Sequence, residues 1–128
     1  EGENRGHLLN DAAALARQTG AIVVQSGATD CVTDGCRVYA ARGGSPWMAR
    51  VTGTGCMLSS LMGAFLAVEP SALGAAACCA EMNACAEEAA RRTAREQGGT
   101  GTFRVRLIDA ISGSIDDASC ASQNKIPQ

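Results

Sequence analysis

Aromatic side chains are scarce, at 3% of the 128 residues, with a single tryptophan and a single tyrosine. A core without them is built from Ala, Val, Leu, Ile, Met and Cys. Charge of one sign is also lacking, since Lys and Arg number 11 against 13 Asp and Glu, for a net charge of −2. That balance gives no electrostatic footprint for nucleic acid or for an acidic membrane surface, and a small molecule is the expected partner. Apolar runs stay too short to span a bilayer, and no secretory signal is read at the start. Cysteine is plentiful, at Cys31, Cys36, Cys56, Cys78, Cys79, Cys85 and Cys120, but no Cys-x-x-Cys occurs. The odd count, and the Ala-rich surroundings of Cys78, Cys79 and Cys85, read as reduced packing thiols in a cytoplasmic protein. Cys31 and Cys36 stand at unhelpful spacing with no histidine nearby for zinc, and the lone His7 lies near the start, so no metal site is expected within these residues.

What is present follows an α/β grammar. The length suits one domain. Leu8 to Gln18 has helical spacing and ends at Thr19-Gly20. Ala21-Ile22-Val23-Val24 is continuously apolar, the pattern of a strand in the buried middle of a parallel sheet. Cys31-Val32-Thr33 and Arg37-Val38-Tyr39-Ala40 flank Asp34-Gly35, a hairpin signal. Leu58, Leu61, Met62, Phe65 and Leu66 form the stripe of an amphipathic helix. Ser71 caps a long helix to about Gln97, where Glu87–Arg91 and Glu88–Arg92 are spaced as ion pairs. Phe103, Leu107, Ile108 and Ile111 repeat at helical spacing, although Phe103 to Leu107 also alternates as a strand would. Beyond Ser114 apolar content drops, and a poorly ordered tail is expected over residues 114–128.

The segment Val51-Thr52-Gly53-Thr54-Gly55-Cys56-Met57-Leu58 joins extended sequence to that amphipathic helix. Free amides at a helix start and the positive end of its dipole favour an anion. Glycine lets backbone approach a ligand closely. Gly53, Thr54 and Gly55, with the amide of Cys56, therefore form a candidate anion hole, and a thiol at that place ionises more easily than a free cysteine. An ordinary strand-to-helix turn is the plainer reading. A Walker A loop is excluded because no Gly-Lys-Ser/Thr follows. Ser26-Gly27 closes a strand, where open α/β sheets place ligands, or else satisfies its own turn. Trp47 and Met48 line either a ligand pocket or the core.

Val51 to Leu58, Gly63-Ala64-Phe65, Ala67-Val68, the Ala21–Val24 strand with Ser26-Gly27, the Asp34-Gly35 hairpin and Gly101-Thr102-Phe103 before Leu107-Ile108-Asp109-Ala110 resemble the C-terminal half of hydroxyethylthiazole kinases. The similarity runs from about Arg5 to Ile111. Thr-Gly-x-Gly-Cys is its most specific part, because most ribokinase-like relatives carry aspartate where this chain has Cys56. The resemblance implies a ribokinase-like α/β fold with a parallel-sheet core flanked by helices, residues 1–113 being the C-terminal part of one kinase domain. It implies transfer of the ATP γ-phosphate to 4-methyl-5-(2-hydroxyethyl)thiazole with Mg²⁺, a place in thiamine biosynthesis, and a homotrimer. By the same resemblance Ser26 and Gly27 contact ATP, Gly53, Thr54 and Gly55 hold the transferring group, and Cys56 acts on the acceptor hydroxyl. A neutral thiol that only packs against substrate is the rival role for Cys56.

Three departures stand out. Ser26 replaces the family threonine but keeps a hydroxyl, and Gly99-Thr100-Gly101-Thr102-Phe103 replaces Gly-Pro-Gly-Ser-Phe. No Asn-x-x-Glu occurs, the element the family associates with metal and phosphates, so this segment by itself is not expected to be competent. Readings from outside this family are a kinase for another small alcohol and a thiol-rich interaction module.

Overall fold

A computed structural model describes the backbone of residues 2–123 and the side-chain surroundings of residues 10–114. Helix α1 spans Gly2–Thr19, and the Gly20 amide donates to the Ala16 carbonyl at 2.8 Å, the stop expected from Thr19-Gly20. Strands β1 (Val23–Gln25), β2 (Thr29–Thr33) and β3 (Val38–Arg42) follow. A 3₁₀ turn over Pro46–Arg50 leads to α2 (Thr54–Val68), α3 (Ala72–Arg95) and α4 (Thr100–Gln123).

The sheet corrects one expectation. Its order is β1-β2-β3, and both pairings are antiparallel, with Val24 opposite Val32 and Val32 opposite Tyr39. A parallel partner needs a crossover of a dozen or more residues. Only residues 26–28 separate β1 from β2, so the chain must reverse. β1 is half-buried at every position, whereas β2 is buried at four consecutive ones. Both faces of β2 are therefore covered, with α1 and α3 packed against it.

The hairpin forms where expected, for local reasons. The Asp34 carboxylate accepts from the Cys36 and Arg37 amides at 2.9 and 2.7 Å. Those bonds, Arg37 first, hold its carboxyl below the usual range. The Thr33 hydroxyl donates to the Arg37 carbonyl at 2.7 Å, and the Arg17 guanidinium reaches the Gly35 carbonyl at 2.9 Å to tie α1 to the turn.

Helix α3 is the axis of the core. The Ser71 hydroxyl accepts from the Gly74 amide, as a cap should. Near its start, Ala72, Ala75 and Cys79 pack with Val32 and Ala41 of the sheet. Further along, Met82, Cys85, Ala86 and Ala89 pack with Val51, Phe103 and Leu107. Small side chains let these elements approach closely, which is how a core with few rings is filled. Phe103 and Leu107 lie on one face of α4, so the segment that also alternated like a strand is helical. Trp47 stacks on Phe103, with ring centroids 6.0 Å apart, and so belongs to the core rather than to a ligand pocket.

Leu58, Leu61, Met62 and Leu66 of α2 pack against this core without any becoming fully buried. Helix α4 runs from Thr100 to Gln123. Residues 124–128, and the side chains of His7 and Cys120, lie outside the described residues. Glu88 binds both Arg91 and Arg92, while Glu87 pairs with neither and accepts from the Gly44 amide instead. Among the described residues, no helix is long and apolar enough to cross a membrane.

Candidate phosphate-binding site

The bend before α2 is set by Gly53. Its φ of +101° lies in the left-handed region, and it caps the helix without any side-chain bond to the first turn. The first helical bond runs from the Met57 amide to the Gly53 carbonyl at 2.9 Å. The amides of Thr54, Gly55 and Cys56 precede that bond and are left without intrahelical acceptors. A side chain added at Gly53 or Gly55 would meet no atom within 4 Å, so the bend is open rather than plugged. Thr54 locks it from beneath: its hydroxyl donates to the Met48 carbonyl at 3.0 Å. That hydroxyl is therefore committed to the fold, and Thr54 offers a ligand its amide only.

Gly53→Ala in the full-length polypeptide is expected to cost about 1–3 kcal/mol, through torsional strain rather than collision. A shift in the urea midpoint at unchanged slope measures it, and an unchanged midpoint would show that the bend relaxes freely.

Two clefts meet at this helix start. One, of about 580 Å³, is lined by Ser26, Gly27, Met48, Thr54 and Gly55 together with Asp30. The other, of about 430 Å³, is lined by Gly53, Cys56 and Met57, with Arg104 and Ile108 of α4 opposite. The residues expected to form one site thus divide, with the first turn of α2 as the shared wall. Ser26 and Gly27 do share a cleft with Thr54 and Gly55, but Cys56 faces the other way. Cys56 is exposed, whereas Cys31, Cys78, Cys79 and Cys85 are buried, and all six described cysteines are free. Burial pushes the thiols of Cys78 and Cys85 up, and that of Cys79, with the nearby Asp30 charge adding, to about 11. These are inert packing thiols.

The Gly27 amide donates to the Asp30 carboxylate at 3.0 Å, so Gly27 meets a ligand by its surface rather than by its N–H. Asp30, Asn83 and Arg104 were not singled out from sequence. The first two are buried polar residues with no pattern of their own, and Arg104 reads as one solvated charge among many. Among the described residues, no group of three or more His, Cys, Asp or Glu could hold a metal ion.

An antiparallel three-stranded layer, helices packed on it and an open glycine bend at the head of α2 define the class: an α/β protein with a candidate anion site at a helix start. The hydroxyethylthiazole kinase family model matches residues 1–116, and the chain belongs to that family. The hydroxyethylthiazole kinase of Gemmatimonas aurantiaca is 45% identical over 106 residues, covering 83% of this chain and 37% of that protein. The enzyme of that name from Nitratidesulfovibrio vulgaris strain DP4 is 46% identical over 104 residues, 80% of this chain and 38% of that one. The solved structure of hydroxyethylthiazole kinase from Pyrococcus horikoshii superposes with a TM-score of 0.70 at 31% identity, over 85% of this chain and 41% of that chain. The chain spans less than two-fifths of the length of these two curated relatives.

Proposed function

We propose that residues 1–113 form the C-terminal part of a kinase domain that phosphorylates 4-methyl-5-(2-hydroxyethyl)thiazole from ATP. The observation that carries the reading is the position of the α2 start between two clefts. In-line transfer brings donor and acceptor to phosphorus from opposite sides. Nucleotide enters from the side of Ser26, Gly27, Thr54 and Gly55, and the alcohol lies on the side of Gly53 and Cys56. The amides of Thr54, Gly55 and Cys56 take the equatorial oxygens between them.

As the hydroxyl oxygen bonds to the γ-phosphorus, the bond to the β-phosphate oxygen breaks and ADP leaves. The hydroxyl proton passes to Cys56 acting as its thiolate, which becomes the neutral thiol as the alcohol oxygen gains its nucleophilicity. This chain supplies positioning and charge stabilisation, and the Mg²⁺ ligands belong to the remainder of the kinase fold. Membership of the family supports a cytoplasmic homotrimer that serves thiamine biosynthesis, and a segment inactive when isolated.

The test is direct. The full-length polypeptide, given ATP and the thiazole alcohol, should form ADP and the phosphate ester in equal amounts. ATP hydrolysis without ester, or no turnover at all, would overturn the assignment.

A further inference from the structure

Both loops that border the larger cleft are fastened to one face of α3. From the first loop, Asp30 accepts from the Gly27 amide through one carboxylate oxygen, at 3.0 Å. Its other oxygen accepts from the Asn83 side-chain amide, also at 3.0 Å. One turn further along α3, Glu87 accepts from the Gly44 amide of the second loop at 3.0 Å. Asp30 and Asn83 are only 6% and 7% exposed. The fit is close: at Gly44, where φ is +86°, an added Cβ would lie 2.8 Å from the Asn83 oxygen.

A carboxylate buried beside a phosphate cleft opposes the ligand's charge, so a reason is needed for an acid here. Packing alone would be served as well by an apolar residue. With Asn83 donating its side-chain amide, a carboxylate at position 30 holds the Gly27 amide with one oxygen and that side-chain amide with the other, which fixes both at once. Bonds to an ionised acceptor are also stronger and better defined in direction than neutral ones.

Resting on the kinase reading above, we propose that Asp30 and Asn83 are positioning residues for the nucleotide. They hold the Ser26–Gly27 turn at a fixed distance from the α2 start, so that a phosphate chain meets both at once. Asn83 carries the constraint to α3, and Glu87 sets the opposite rim from the same helix face. Neither Asp30 nor Asn83 touches the transferring group. Their effect falls on ATP and spares the alcohol, which binds on the far side of α2.

The experiment compares Asp30→Leu, Asn83→Leu and the double exchange Asp30→Asn with Asn83→Asp in the full-length polypeptide. In the double exchange, the amide introduced at position 30 accepts from Gly27 through its oxygen and donates to the carboxylate introduced at position 83. Asp30→Leu should raise the KM for ATP about tenfold or more, the equivalent of one lost charged hydrogen bond. The KM for the alcohol should stay within about twofold, and the double exchange should return the ATP value to within about threefold of wild type. Equal rises in both KM values, an unchanged ATP KM, or a double exchange no better than the single variants would overturn the proposal. Should Asp30→Leu not fold, Asn83→Leu must raise the ATP KM and the double exchange must not. If wild type transfers no phosphoryl group, the kinase reading falls separately. Titration of ATP into wild type and Asn83→Leu then decides the positioning role from the same change in Kd, and no ATP binding by wild type sinks both.

Discussion

Cys56→Ala in the full-length polypeptide is expected to lower kcat by about 10²–10⁴-fold, the usual contribution of a positioned proton acceptor. Cys56→Asp is expected to keep substantial turnover, because a carboxylate at this place can take up the same hydroxyl proton. The argument rests on placement. Cys56 is exposed on the third residue of α2, lines the smaller cleft with Gly53, and contributes its own amide to the bend. Alanine keeps that amide and removes only the sulfur, so a fall in kcat isolates proton handling from phosphate binding. The KM for ATP should barely move, since the nucleotide side of α2 is untouched. Steady-state rates for the three proteins decide the matter. Equal losses in the alanine and aspartate variants would mean that the thiol packs against substrate instead.

The largest stability effect is expected at Phe103. The side chain is fully buried between α3 and α4, against Met82, Ala86 and Ala89, and it carries the stacked Trp47 ring. Phe103→Ala should cost about 3–5 kcal/mol, through lost transfer energy and a cavity that rigid neighbours cannot close. Phe103→Leu should cost clearly less, because much of the volume is kept. Urea unfolding of the full-length polypeptide would show this as a lower midpoint at constant slope. A loss near 1 kcal/mol for the alanine variant would show that α4 shifts toward α3, as the small residues on α3 would allow.

Features governed by neighbours along the chain were readable from the residues. Asp34 accepts from amides two and three residues ahead, so its hairpin could be foreseen. Ser71 caps α3 within its own first turn, and the glycine bend before Cys56 is a local matter of torsions. Phe103 and Leu107 were ambiguous because positions four apart satisfy both a helical face and an alternating strand. Only contact with α3 resolves that.

Sequence alone determined the family, the hairpin at Asp34-Gly35 and the glycine turn ahead of α2, since each depends on side chains or torsions close together in the chain, whereas the segment read as extended before that turn is a 3₁₀ turn over Pro46–Arg50. Tertiary structure decided the rest. A four-residue apolar run carries no record of strand direction, and the short Ser26–Ala28 link made β1 antiparallel to β2. Asp30 and Asn83 are 53 positions apart, so their shared hydrogen bond has no spacing to betray it. Which cleft Cys56 faces was likewise fixed by how α2 lies between α4 and the sheet-side loops, and burial against distant partners is a property that no local pattern encodes.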